Sequence, residues 1–169
     1  MPTIAVLPFP MQHQEADYWC WSAVAVSVDA FRRDGGQTPW AQCTLVNDQL
    51  HQTTCCINHD SDECDRPHRL SDALLRLGRL RGAVLNGSLN GASVRLEIDQ
   101  GRPVGVRIQW FGGEAGHFVL IIGYDDSEAA RPQYIIADPF YVQSTVPVAE
   151  FPSGYQTQGG NWTHSYLVA

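Results

Sequence analysis

Cys20 stands between Trp19 and Trp21, where an extended, proline-rich segment gives way to the helix-forming run WCWSAVAVSVDAFRR. A thiol in the first turn of a helix meets backbone N–H groups that lack an intrahelical partner. The helix dipole there favours the thiolate, which is the nucleophilic form. Taken alone, such a cysteine is more often a small buried hydrophobe than a nucleophile. Three further residues change the balance. Gln14, six residues upstream, can aim its side-chain amide at an oxyanion together with the Cys20 N–H, and Gln12 is the alternative donor. His117 opens the most hydrophobic stretch of the chain, HFVLIIGY, and Asp138 closes the stretch QYIIAD. At the ends of neighbouring antiparallel strands, the imidazole can take the thiol proton while the carboxylate fixes its tautomer. Nucleophile, base, orienter and oxyanion donor are all present.

These residues need elements to hold them. Residues 1–19 read as an extended N-terminal strand that wraps the body. From Cys20 a helix is predicted, with Trp21, Val24, Val28 and Phe31 on one stripe and Gly35-Gly36 as its stop. CTLVNDQLHQ reads as a second helix, CCINHDSDECDRPH as a polar loop, and LSDALLRL over 70–77 as a short helix closed by Gly78. Ser93 is the predicted N-cap of VRLEIDQ, with Gly101 ending it. VGVRIQW, HFVLIIGY, QYIIAD and WTHSYLV then read as strands between Gly, Pro and Asp turns. Helices followed by an antiparallel sheet imply an α+β fold. At 169 residues the expectation is one domain, 1–82 mainly helical and 83–169 mainly β.

The five cysteines divide unequally. Cys43, Cys55, Cys56 and Cys64 crowd together while Cys20 stands alone, which suggests two disulfides and one reactive thiol. Cys55 and Cys56, being adjacent, are expected to bond to different partners, and the pairing stays open. His51, His59 and His68 surround the cluster and make zinc the alternative. The spacing C-x11-CC-x7-C lacks the C-x2–4-C pair usual at such sites, so disulfides are favoured. Disulfides point to an oxidising compartment, hence a secreted or exported protein. MPTIAVLPFP has no basic leader region, so no signal peptide is visible. No apolar run is long enough to span a bilayer, and no membrane partner is expected. A net charge of −7 argues against nucleic acid, and the cluster Arg66, Arg69, Arg76, Arg79 and Arg81 reads as a solvated helix face with acids nearby.

Gln14, Cys20-Trp21 opening a helix, Gly116-His117 opening a strand and Asp138-Pro139 closing one follow the order seen in papain-like cysteine peptidases. The chain resembles that family over nearly its whole length. It is most similar, through WCWSA, GHFVLIIGYD and IADPF, to a small bacterial branch: double-glycine-peptidase-like domains and the papain-fold effector peptidases of plant pathogens. The resemblance implies a papain-like fold, with a helical lobe carrying Cys20 and an antiparallel sheet carrying His117 and Asp138 across a cleft. It implies hydrolysis of peptide bonds through a thioester, with Gln14 in the oxyanion hole, a protein or peptide substrate, and no cofactor or metal. The same constellation runs deamidation or transamidation of a protein glutamine. An effector or toxin of this kind would have an inhibitor or immunity protein as a further partner. A catalytically inactive binding module, held by disulfides or zinc, is the non-enzymatic alternative, and the chain is expected to be a monomer.

Trp19, Trp21, Trp110 and Phe118 flank the motif residues and are candidates to line the cleft, although aromatic residues are more often core. His13 is a lesser alternative base, and His164 reads as structural. Glu15, Asp17 and Glu114 would favour basic substrates if they faced the cleft; solvated acids are the default. Three departures from papain stand out. ADYW replaces a glycine-rich approach to the cysteine, the orienter is aspartate instead of asparagine, and Cys20 and His117 are 97 residues apart where papain and cathepsins have roughly 130–150.

Overall fold

The run that dominates the sequence becomes the centre of a sheet covered on both faces. In the computed structural model, which describes residues 3–169, strands β1 (Ile4–Val6), β2 (Leu85–Asn86), β3 (Val104–Trp110), β4 (Gly116–Asp125), β5 (Gln133–Asp138), β6 (Val142–Pro147) and β7 (Gly160–Leu167) form one sheet. Its order is β2-β7-β3-β4-β5-β6, with β1 also paired to β4, and all pairings are antiparallel. Phe118, Leu120 and Ile122 of β4 enter one core and Val119 and Ile121 the other. A strand buried on both faces reads as a continuous apolar run, which is why HFVLIIGY lacks alternation.

β3 pairs with β4 only as far as Ile121, and β1 takes up Gly123–Asp125 where β3 stops. A Cβ on Gly123 would lie 2.6 Å from the Ala5 carbonyl oxygen, so this wrapping of the N-terminal segment needs a glycine there.

Helices α1 (Cys20–Arg32), α2 (Gln42–Leu50) and α3 (Leu70–Arg76) cover one face, and α4 (Gly91–Asp99) packs on the other against β3 and β4. The predicted stripe on α1 understates its burial: every residue from Cys20 to Ala30 is buried. A helix enclosed on all sides has no polar face to reveal its orientation. Its polar side chains are satisfied locally. Ser22 Oγ donates to the Gln42 carbonyl (3.0 Å), and Ser27 Oγ accepts from the Gln12 N–H (2.9 Å). Asp29 holds Arg33 and Arg79 at 2.7 Å each, and Thr38. Burial would raise its carboxyl, but the Thr38, Arg33 and Arg79 bonds outweigh burial and hold it below the ordinary range.

α4 begins earlier than expected, because Asn90 and not Ser93 is the N-cap: Asn90 Oδ1 accepts from the Ser93 N–H at 2.9 Å. β2 and β6 are additions to the sequence reading, two residues in one case and a largely exposed edge in the other. Among the described residues no helix is long and apolar enough to cross a membrane.

Two disulfides close the cysteine loop, Cys43–Cys56 and Cys55–Cys64, and they are compatible with an extracellular protein. The adjacent cysteines take different partners, and the four thiols that a zinc site would have used are consumed. Cys20 is left free.

Candidate active site

α1 starts without a side-chain cap, since Trp19 occupies the N-cap position and offers no acceptor. Its first N–H groups are therefore uncommitted by any cap, and Cys20 is its first residue. On the sheet, the pairing Leu120↔Ala137 brings the start of β4 and the end of β5 to the same margin. His117 and Asp138 meet there, Nε2 to Oδ1 at 2.9 Å, both buried. With Nε2–H donated to the carboxylate, Nδ1 is the nitrogen left for the thiol, and Cys20 lines the same cavity as the ring.

Asp138 is unusually well held. Oδ1 also accepts the N–H groups of Phe140 (2.7 Å) and Tyr141 (3.0 Å), and Oδ2 accepts the Tyr155 hydroxyl (2.7 Å). Burial would raise this carboxyl, but the His117 bond and charge, then the Tyr141 and Phe140 N–H bonds, keep it below the usual carboxylate range. Burial acts on His117 in the opposite sense, lowering it. The bonds to Asp138 and Cys20, with their charges, overcome burial and raise the imidazole to about 9. The arrangement can hold an imidazolium against a buried carboxylate, with the free cysteine on the same cavity.

A cavity of about 250 Å³ opens over Cys20 and His117. Trp21, Trp110 and Phe118 line it; Trp19 does not. Trp19 is fully buried, its Nε1–H on the Cys64 carbonyl (2.9 Å) and its ring edge-on to His59. Trp110 stacks on His117 with centroids 5.7 Å apart and on Tyr155 at 6.2 Å, walling the imidazole. Gln14 lies under the approach to α1. Its Nε2 donates to the carbonyls of Ala16 (2.9 Å) and Asp17 (2.7 Å), its N–H to that of Pro139 (2.9 Å), and its buried Oε1 has no partner among the described residues. Gln12 Oε1 accepts from Gln42 Nε2 (3.2 Å), His13 stacks on Phe140, and His164 bonds Thr163. Asp17 borders the cavity, whereas Glu15 and Glu114 are exposed and do not line it.

Sequence reasoning gives no sign of Tyr155, and it sets His68 beside the cysteine cluster as a zinc candidate instead of on this cavity. His68 lines the cavity with its ring 4.8 Å from Trp21, and burial holds its imidazole below the ordinary value. Tyr155 touches the cluster through its hydroxyl bond to Asp138. Burial and the Asp138 charge push its phenol up, so it stays a neutral donor. Tyr155→Phe is expected to cost about 1–3 kcal/mol by stripping a buried carboxylate of one bond. A depressed carboxyl contributes stability above its unfolded value and loses it as pH falls through the folded value. Part of the gap in melting temperature between wild type and variant should therefore be present at neutral pH and close as pH falls through the lowered value of this carboxyl. A gap independent of pH would mean that the hydroxyl does not act on the ionised carboxylate.

The family described as Peptidase_C39 like family matches residues 6–163, spanning Cys20, His117 and Asp138 together. No curated protein matches the chain. The matched region takes in both the helical face and nearly all of the sheet, and on that extent the chain belongs to the Peptidase_C39-like family.

Proposed function

We propose that this protein is an exported cysteine peptidase that hydrolyses peptide bonds with Cys20 as nucleophile, His117 as base and acid, and Asp138 as orienter. One observation carries the reading: the cysteine left free by two disulfides begins an uncapped helix beside an imidazole already fixed by a buried carboxylate.

The Cys20 sulfur attacks the carbonyl carbon, and the C=O electron pair moves onto oxygen. The N–H of Cys20 is the donor available to that oxyanion without rearrangement. Gln14 can join it by exchanging one of its two carbonyl bonds for the substrate oxygen. His117 gives its proton to the leaving nitrogen as the C–N bond breaks, leaving a thioester. Water then attacks the thioester, His117 takes the water proton, and the Cys20 sulfur departs with its electron pair.

The pH dependence tests this reading. A raised imidazole stays protonated through neutral pH and loses its proton as pH rises through about 9. The stability it contributes follows the same course, present in full below the unfolded value and lost through about 9. Peptide hydrolysis, which needs the proton for the leaving amine, is expected to fall above pH about 9. Alkylation of Cys20 by iodoacetamide needs only the thiolate and should not fall there. Hydrolysis that continues to rise past that point would remove His117 as the acid.

A further inference from the structure

Beyond the catalytic cavity the cleft opens into a groove of about 960 Å³. Pro67, His68, Arg107 and Phe118 line both, so the two spaces are continuous. Arg107 sits on β3, directly paired with Phe118 of β4 on one side and His164 of β7 on the other. Its guanidinium rests over the backbone just before His117: a Cβ on Gly116 would lie 2.6 Å from Arg107 Cζ. Two neutral acceptors steady it, Thr163 Oγ1 and Gln109 Oε1, each at 3.0 Å.

What this guanidinium lacks is an anion. Seven of the other arginines hold a carboxylate, from Arg33 on Asp29 to Arg131 on Glu150. Among the described residues no carboxylate reaches Arg107, even though it is half-buried. Asp72 lines the same groove and Asp17 the catalytic cavity, yet neither pairs with it. A second group waits beside it. Tyr166 is only 4% exposed, its side chain lines the groove, and among the described residues its hydroxyl makes no hydrogen bond. Burial, with Asp72 adding and Arg107 subtracting, raises this phenol to about 12, so it is a neutral donor. A planar fork of N–H groups beside a free hydroxyl matches the two oxygens of a carboxylate.

We infer that the groove binds a carboxylate of the substrate on Arg107 and Tyr166, so that an acidic residue or a chain end is selected close to the scissile bond. This rests on the hydrolase reading above. Arg107 borders the catalytic cavity itself, and an extended chain advances ~3.3 Å per residue, so the selected position lies within about two or three residues of the cleaved bond.

A synthetic peptide library with randomised positions, prepared with free and with amidated C-termini, tests the site by mass-spectrometric reading of cleavage. Wild type is expected to favour Asp or Glu over Asn or Gln by about ten- to a hundredfold at one position. That preference should fall close to parity in Arg107→Gln, shrink in Tyr166→Phe and turn towards Lys and Arg in Arg107→Glu. A preference lost on amidation would identify the chain end as the source of the carboxylate. A circular dichroism spectrum and melting transition like those of wild type report that each variant is folded. Cleavage without acidic preference, or with a preference that Arg107→Gln retains, overturns the subsite and leaves the hydrolase standing. If nothing is cleaved, the hydrolase reading fails and retention of the same library on immobilised Cys20→Ala decides. Acidic peptides held there and released by the added Arg107→Gln change keep the subsite, and indifferent retention removes it.

Discussion

Cys20→Ala is expected to abolish peptide hydrolysis, and His117→Ala to lower kcat by about 10^4- to 10^6-fold, with both proteins still folded. The size follows from the way such residues act as a unit: without the imidazole the thiol has no proton acceptor and the leaving amine no donor. Folding should survive because the partners left behind are satisfied. Asp138 without His117 keeps the Phe140 and Tyr141 N–H groups and the Tyr155 hydroxyl. Cys20 without its sulfur leaves a void the size of one atom at a helix end. Asp138→Asn should be milder than Asp138→Ala, because an amide oxygen can still accept from His117 Nε2. It removes the charge that helps raise the imidazole, however, so the upper limit of the pH profile should move below about 9. Activity and melting temperature measured on the same preparations check the series. Hydrolysis that persists in Cys20→Ala would place the nucleophile elsewhere.

The parts of this arrangement that could be read in the sequence are those carried by local patterns. β3 and β5 coincide with VGVRIQW and QYIIAD because β-branched runs between Gly, Pro and Asp turns are their own evidence. Cys20, His117 and Asp138 can be picked out as candidates because each sits at an element boundary, where the chain must change direction and a side chain can reach a cleft. What stayed hidden depends on pairing between distant segments. Arg107 is one residue in a strand until its register with Phe118 and His164 turns it into a groove. Tyr155 reaches Asp138 from an irregular turn with no periodicity to mark it. Trp19 and Trp21 looked equivalent as neighbours of Cys20. A helix sets residues two apart on different sides, and only Trp21 faces the cavity. Asn90 and Ser93 are both polar enough to cap, and the Asn90 side chain is the one that accepts a first-turn N–H, that of Ser93 itself.

Opening Cys55–Cys64 is expected to cost more activity than opening Cys43–Cys56, although the two should cost similar stability. The bridges close 13- and 9-residue separations, for which restriction of the unfolded chain amounts to about 3 kcal/mol each, or ~6–12 °C in melting temperature. The loops overlap, so the two effects should add incompletely. Their consequences for the site differ because the loop grips the residues that flank Cys20. The Cys64 carbonyl takes the Trp19 Nε1–H, the Arg66 carbonyl takes the Trp21 Nε1–H at 3.0 Å, and Asp65 Oδ1 takes the Tyr18 N–H at 2.8 Å. Cys55–Cys64 is fully buried within this grip, whereas Cys56 is exposed. Mild reductant should therefore open Cys43–Cys56 first with little loss of hydrolysis, and stronger reduction should open Cys55–Cys64 with a steep loss. The double variants separate position from stability: well below both melting temperatures, Cys55→Ala with Cys64→Ala should lose about tenfold or more in kcat. Cys43→Ser with Cys56→Ser should stay near wild type. Equal kcat in the two would mean that α1 holds Cys20 through its own packing against β4, and that the loop serves stability alone.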